Sequence, residues 1–390
     1  MKTVKKLTYI ANIRLPSEKA HPVQVMKMCE AFTDNGCTVR LLVPRRVQTA
    51  PALKKVKDVW AYYGIRDRFR ITKLPCLDLI WMDTFTQFLR SFRFVIEAAS
   101  FAFIAFIYGL CTAADCYYTR EYPFAVWFGA WRFLHRKKVF YEVHRFEPFI
   151  CKYVRWGWIA GLVVITGSAR DKYLAAGIPE GKVLLVPDGV DVKMFACGRP
   201  RDEARRELGI PVDRKVVCYT GHLYDWKGAD VLALSMKQLN DDFLACFVGG
   251  TEEDIDAFRK FIRQNEIPNV TMAGHVAPVT VPLYLAAADV LVLPNVDKGL
   301  TEYTSPLKLF EYLASGRPVV ASDLPSLREV LNDDNAALVE AGNPEALAAG
   351  VRRLLEDPGL AARLIKQGLI DVQRYSWTNR AERILGFIGM

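Results

Sequence analysis

The chain has none of the usual glycine-rich phosphate turns. Its first apolar run, Leu7 to Ile13, leads into Arg14-Leu15-Pro16-Ser17-Glu18-Lys19-Ala20-His21. A dinucleotide-binding fold needs Gly-x-Gly-x-x-Gly there, so that a pyrophosphate can approach the backbone. Its absence argues against a dehydrogenase, and the lack of any Gly-x-x-x-x-Gly-Lys-Ser/Thr run argues against a P-loop ATPase. Metal-type cysteine spacing is missing too. The nine cysteines are odd in number and scattered, with no Cys-x-x-Cys pair, which suggests buried thiols in a reducing compartment rather than a disulfide framework or a zinc site. Basic residues are spread along the chain rather than gathered in one stripe, which argues against a nucleic-acid partner. The basic start, Met1 to Lys6, lacks the long apolar core of a secretion signal, so none is expected.

One uncharged stretch, Ala98 to Ala114, is dense in phenylalanine and isoleucine but shorter than the about 20 residues a membrane span needs. With Arg90, Arg93 and Glu97 on one side and Asp115 on the other, it reads as a buried helix of an α/β domain. The preceding Trp81, Met82, Phe85, Phe88, Phe92 and Phe94, interleaved with Arg90 and Arg93, form the alternative: an aromatic and basic patch touching an anionic membrane without crossing it.

At 390 residues the chain exceeds one ordinary core, so two domains are expected. Its 51% apolar and 24% charged residues suit a soluble enzyme, and its net charge of +9 favours anionic partners such as nucleotides, phosphates or an acidic membrane surface. Short apolar strands alternate with helical stretches, the sign of parallel sheets covered on both faces. The first half carries strands at Leu7–Ile13, Thr38–Val43, Arg70–Leu74, Cys116–Thr119, Val139–Val143, Leu162–Ile165 and Val183–Val186. Residues 47 to 68 read as a loop and helix insertion. After Gly198-Arg199-Pro200-Arg201-Asp202 the alternation starts again, with strands at Lys215–Thr220, Leu244–Val248, Val270–Ala273, Val290–Pro294 and Val319–Ala321. The apolar tail from Asp371 has helical spacing and must pack on something.

Ligands of open α/β sheets bind beyond the C-terminal ends of the strands. Arg120 and His144 sit at two such ends in the first half. In the second half, Gly221-His222, Gly249-Gly250 and Gly274-His275 occupy three more, and Lys227 lies in the loop after the first. The stretch from Ser305 to Val320 reads as helix, tight turn, strand. Ser305 is suited to cap the helix, Pro306 to its first position, and Gly316 with Pro318 to end it. The open amides at its start, with the helix dipole, would attract a phosphate. Lys308 and Glu311 are one turn apart on it, and by themselves could equally be a surface ion pair. Each glycine alone could simply make a turn. The convergence of these groups on one rim points to a phosphorylated ligand.

Pro187-Asp188-Gly189-Val190-Asp191 with Phe195, Gly221-His222-Leu223 with Lys227-Gly228, Ala288 to Pro294, and above all Ser305 to Val320 together resemble the retaining nucleotide-sugar glycosyltransferases of family four, the glycosyl transferases group 1. The resemblance implies an α/β GT-B fold: two facing Rossmann-like domains, 1–198 for the acceptor and 199–372 for the nucleotide sugar, with a helix over 373–390 crossing back to the first. It implies transfer of a hexosyl or N-acetylhexosaminyl group, with retention, from a UDP or GDP sugar to a hydroxyl of a glycan or lipid-linked acceptor. The setting would be surface polysaccharide or glycolipid assembly in the cytoplasm, at the inner membrane face.

His144, Lys227 and Glu311 would be the catalytic residues: Lys227 on the diphosphate, Glu311 on the ribose, His144 by the donor sugar. Donor-binding residues would be His222, Gly249, Gly250, His275, Ser305, Leu307 and Lys308, and acceptor-binding residues Ser17, Glu18, Lys19, His21 and Arg120. No metal or cofactor is implied, and no nucleic acid. The chain departs from the family in having His222 where arginine is usual, Tyr303 (beside Glu302) where the first of two spaced glutamates is usual, and no paired glycines in the acceptor loop. A sugar-nucleotide epimerase of the same fold and a non-catalytic nucleotide-sugar-binding subunit are the alternatives.

Overall fold

The computed structural model describes residues 5–79, 87–196, 198–298 and 301–389. The chain divides into two compact units, Met1–Pro187 with Trp377–Met390, and Asp188–Ser376. The break falls ahead of the charged turn at Gly198 to Asp202 and places the Asp188–Asp191 segment in the second unit.

Among the described residues, the first unit is built on seven parallel strands: β1 (Lys6–Ile10), β2 (Thr38–Pro44), β3 (Arg70–Leu74), β4 (Cys116–Thr119), β5 (Lys138–Val143), β6 (Gly161–Val164) and β7 (Val183–Leu185), in the order β3-β2-β1-β4-β5-β6-β7. The second has six: β8 (Lys215–Thr220), β9 (Phe243–Val248), β10 (Val270–Gly274), β11 (Val290–Leu293), β12 (Val319–Ser322) and β13 (Ala337–Val339), in the order β10-β9-β8-β11-β12-β13. Every pairing in both sheets is parallel. Inner strands such as β4, β9 and β11 are buried along their whole length, because helices cover both faces, and this is why they read as unbroken apolar runs. The edge strand β13, only three residues long and partly exposed, offers too short an apolar run to stand out, and sequence reading missed it.

Both orders reverse at one point, between β1 and β4 and between β8 and β11. Such a reversal leaves a crevice beyond the strand ends where the flanking loops diverge, and ligands of this architecture settle there.

The tail behaves as its apolar spacing requires. The Trp377–Gly389 helix belongs to the first unit and packs on the Ala20–Asp34 helix. Phe387 meets Phe140 of β5, ring centres 5.8 Å apart, and lies so close to Gly161 that a Cβ there would stand 2.6 Å from its ring. The long Gln87–Leu110 helix departs from the expected buried helix. Phe101, Ala102, Ala105 and Phe106 are buried, but only 33% of the apolar window is covered. Trp81, Met82 and Phe85 lie outside the described residues, as do the side chains of Phe88 and Arg90.

Candidate functional site

In the second unit the reversal point brings the loops after β8 and β11 into backbone contact. Gly228 has φ +70°, and a Cβ on it would stand 1.7 Å from the Pro294 carbonyl oxygen. Only glycine fits there. The same holds one strand over, where a Cβ on Gly249 (φ +117°) would meet the Gly221 carbonyl oxygen at 2.5 Å. The Gly249 amide also donates to the Gly274 carbonyl at 2.7 Å. Gly221, Gly249, Gly250 and Gly274 thus form one rim over β8, β9 and β10, with His222 and His275 half-buried beside it. The His222 ring stacks flat on Tyr224 at 4.8 Å and has its Nδ1 3.6 Å from Asp254. A cavity of about 670 Å³ opens next to this loop, lined by Leu223, Tyr224, Trp226, Asp254, Phe258 and Phe261 among others.

The helix after β11 differs from its sequence reading at its start. It runs Leu307–Ala314, with Pro306 as its N-cap and no side-chain cap bond. Ser305 does not cap it: its hydroxyl accepts the Asp188 amide at 3.1 Å instead. The amides of Leu307 and Lys308 therefore face outward without intrahelical acceptors, as the first turn of any helix leaves them. Tyr312 anchors the helix to the end of β8, its hydroxyl accepting the Thr220 amide at 2.8 Å.

Lys308 and Glu311 do not form a surface ion pair. Lys308 is 7% exposed, its Nζ lies 3.7 Å above the Tyr219 ring, and that Nζ has no hydrogen-bond partner among the described residues. Burial first, then the neighbouring Lys227 charge, holds its pKa well below the ordinary lysine value, and Glu311 works in the opposite direction. Lys227 stands 3.8 Å over the Trp226 ring, and burial lowers its pKa to about 8. Glu311 is half-buried; burial raises its carboxyl to about 7 against the pull of Lys308. Two lysines of lowered pKa, one of them with no hydrogen-bond partner among the described residues, and one carboxyl of raised pKa thus meet at an uncapped helix start. This arrangement is built for an anionic, hydroxyl-bearing ligand.

In the first unit the candidates cluster at the β1/β4 reversal. His144 follows β5 and has Nε2 2.9 Å from Glu142 Oε1. Glu142, 1% exposed, also accepts from Gln24 Nε2 at 2.5 Å and from the Tyr118 hydroxyl, and lies 3.2 Å from Arg380 of the returning helix. Its carboxyl is held well below the ordinary glutamate range: burial opposes ionisation, but Arg380, His144 and Arg120 outweigh it. Arg120 donates to Gln24 at 2.5 Å. His21 sits close by, its pKa held well below the ordinary histidine value by burial first and then by Arg120 and His144, and its Nε2 has no partner among the described residues.

The remaining acceptor candidates spread out. Ser17 is buried and turned into the loop, its amide donating to Tyr63 and its hydroxyl accepting the Lys19 amide. Glu18 faces Arg14 at 3.7 Å, and Lys19 is exposed where the Ala20–Asp34 helix begins.

Glu142, Gln24 and Arg380 were missed in the sequence. Glu142 did leave a signal, a carboxylate inside an apolar strand two residues before His144 and so on the same strand face. Arg380, in a terminal helix, left none.

A family model described as glycosyl transferases group 1 matches residues 200–370. The D-inositol 3-phosphate glycosyltransferase of Acidothermus cellulolyticus is 29% identical over 233 residues, which is 56% of this chain and 50% of the relative. The chain thus spans about half the length of the curated relatives it matches. Among solved structures, Anabaena HepE in complex with UDP-glucose superposes with a TM-score of 0.72 at 16% identity, covering 98% of this chain and 99% of that one. The sucrose-phosphate synthase of Thermosynechococcus elongatus gives 0.73 at 20% identity, with 97% of each chain covered. At such identities the superpositions establish the fold.

Proposed function

We infer that this chain, whose residues 200–370 belong to the glycosyl transferases group 1 family on a GT-B fold, transfers a sugar from a nucleoside-diphosphate donor to a hydroxyl acceptor. The observation that carries the reading is the meeting of Lys227, Lys308 and Glu311 at the open N-terminus of the Leu307–Ala314 helix. When the anomeric bond of a sugar nucleotide breaks, negative charge grows on the departing diphosphate. Two desolvated ammonium groups and the helix amides stabilise that charge without reorganising, which lowers the barrier. In this proposal Glu311 accepts from the ribose hydroxyls, the glycine rim with His222 and His275 takes the base, and no metal is required. His144, oriented by Glu142, contacts substrate hydroxyls, and His21 and Arg120 serve the acceptor. Retention, a hexosyl or N-acetylhexosaminyl group, a uridine or guanosine carrier, and a polysaccharide or lipid-linked acceptor at the inner face of the cytoplasmic membrane complete the proposal.

A thermal-shift panel of uridine, guanosine and adenosine diphosphates and their sugars tests it. A true donor at one hundred times its Kd adds about 2.7 kcal/mol of stability. Lys227→Ala should lower transfer at least tenfold, the scale of one lost charged contact of about 1.4 kcal/mol. Wild-type stabilisation and transfer in that variant would overturn the assignment.

A further inference from the structure

The surface formed by the Gln87–Leu110 helix, residues 122–136 and the Ile150–Arg155 helix with Trp156 has no role in the site above. One side of the long helix is committed inward: Glu97 is fully buried and pairs with Arg46 at 2.5 Å and Asn12 at 3.1 Å. A helix tied to its sheet by such a pair does not cross a bilayer, although residues 92–110 are apolar enough to do so. Its other side exposes Val95, Phe103 and Ile107, each 46–61% accessible.

The next elements continue this face. Trp127 of the Tyr122–Ala130 helix meets Phe103 at 6.3 Å, Trp131 meets Phe106 at 6.3 Å, and Phe133 meets Trp131 at 5.5 Å. Arg132 then bridges to the Gly157 carbonyl at 2.9 Å, beside Trp156. Phe133, Leu134 and Trp156 are 67%, 56% and 60% exposed. An apolar face of this extent on a water-soluble surface marks an interaction site.

Charge identifies the partner. Arg132, Arg136, Lys152 and Arg155 are exposed among these aromatics, and none of them has a carboxylate within ion-pair distance among the described residues. The only acidic residues between positions 122 and 160 are Glu142 and Glu147, and both are buried. A second copy of the chain would set these cations against themselves. Indole rings and arginines over an aliphatic face match instead the boundary of an anionic bilayer, with phosphates outside and acyl chains within.

We propose that this face seats the chain on anionic phospholipid, with the long helix in the membrane plane and Trp127, Trp131, Phe133 and Trp156 at the headgroup level. The proposal deepens the membrane-side acceptor reading, but it stands on the exposed face alone and is tested without donor or transfer.

The test is co-sedimentation of the full chain with vesicles of phosphatidylcholine, alone or mixed equally with phosphatidylglycerol. Binding is expected to the mixed vesicles, weakened by salt, with a blue shift of tryptophan emission. Phe133→Ser with Trp156→Ser, and separately Arg136→Glu with Lys152→Glu, should each reduce partitioning at least tenfold. Their unfolding temperature and their stabilisation by nucleotide should match the parent, since all four side chains are exposed. Equal binding to neutral vesicles, undiminished binding by both variants, or a self-association that the variants abolish without any vesicle binding would each overturn it. Loss of vesicle binding with intact nucleotide stabilisation separates this face from the donor site.

Discussion

Replacing Glu311 by glutamine should stabilise the free protein while disabling it. The carboxyl sits half-buried with its pKa raised from 4.5 to about 7, because burial disfavours its charge more than Lys308 favours it. An acid whose folded pKa exceeds its unfolded value binds protons preferentially when folded. The stability linked to that proton is present below pH 4.5 and is lost as pH rises to about 7. Taken at face value, the interval between those two pKa values corresponds to about 3 kcal/mol. Partial exposure and the adjacent ammonium reduce this to about 1–2 kcal/mol. Glutamine has the same shape and no charge, so the variant escapes this loss. Denaturation of the nucleotide-free protein at pH 5, 6, 7 and 8 should show the variant's advantage growing with pH, to roughly 2–8 °C in the Tm of the second unit. Donor-dependent stabilisation should fall in the same variant, because a neutral amide accepts ribose hydroxyls less strongly than a carboxylate. A variant no more stable than the parent at pH 8 would refute the reasoning, since the carboxylate would then have a partner that offsets its burial.

The same cluster sets the pH dependence of donor binding. Affinity should rise through about pH 7 as Glu311 ionises and fall above about pH 8 as Lys227 loses its proton; titration by calorimetry should show the rise absent in Glu311→Gln and the fall moved upward in Lys227→Arg. Gly228→Ala should destabilise the second unit by more than about 2 kcal/mol in urea unfolding, because its Cβ would enter the Pro294 carbonyl. Gly36→Ala, also at positive φ but with nothing within 4 Å, should cost only about 1 kcal/mol of backbone strain. Arg380→Ala leaves Glu142 buried without its largest compensating charge and should destabilise the first unit by about 3 kcal/mol in the same assay.

All but the last strand of the two sheets could be placed from the sequence. Cys116–Thr119 and Lys215–Thr220 begin and end where the sequence reading put them, since strands buried along nearly all their length read as apolar runs. The glycine rim was visible as well, because a strand followed by glycine marks a place where another backbone or a ligand comes close. Lys308 was read less well. The sequence shows an i, i+3 charged pair, and helical spacing alone lets it point to water. The helix is in fact covered around so much of its circumference that Lys308, Leu309, Phe310, Tyr312, Leu313 and Ala314 are all buried. Ser305 was suited to cap, but the arrival of Asp188 from a preceding loop offered its hydroxyl a different donor.

By itself, then, the sequence determined where most of the strands lie along each half, the glycine-lined strand ends and the identity of the charged groups among them, while the order of the strands in each sheet came from the structure. These depend on local periodicity and on what each backbone position tolerates. Only the tertiary structure decided which charges lack partners. The burial of Lys308 over Tyr219, the tie between Glu142 and Arg380 from opposite parts of the chain, and the exposure of Trp131, Phe133 and Trp156 all depend on which surfaces the folded chain covers. Solvation is a property of the packed molecule, and both the strength of a buried charge and the meaning of an exposed aromatic ring follow from it.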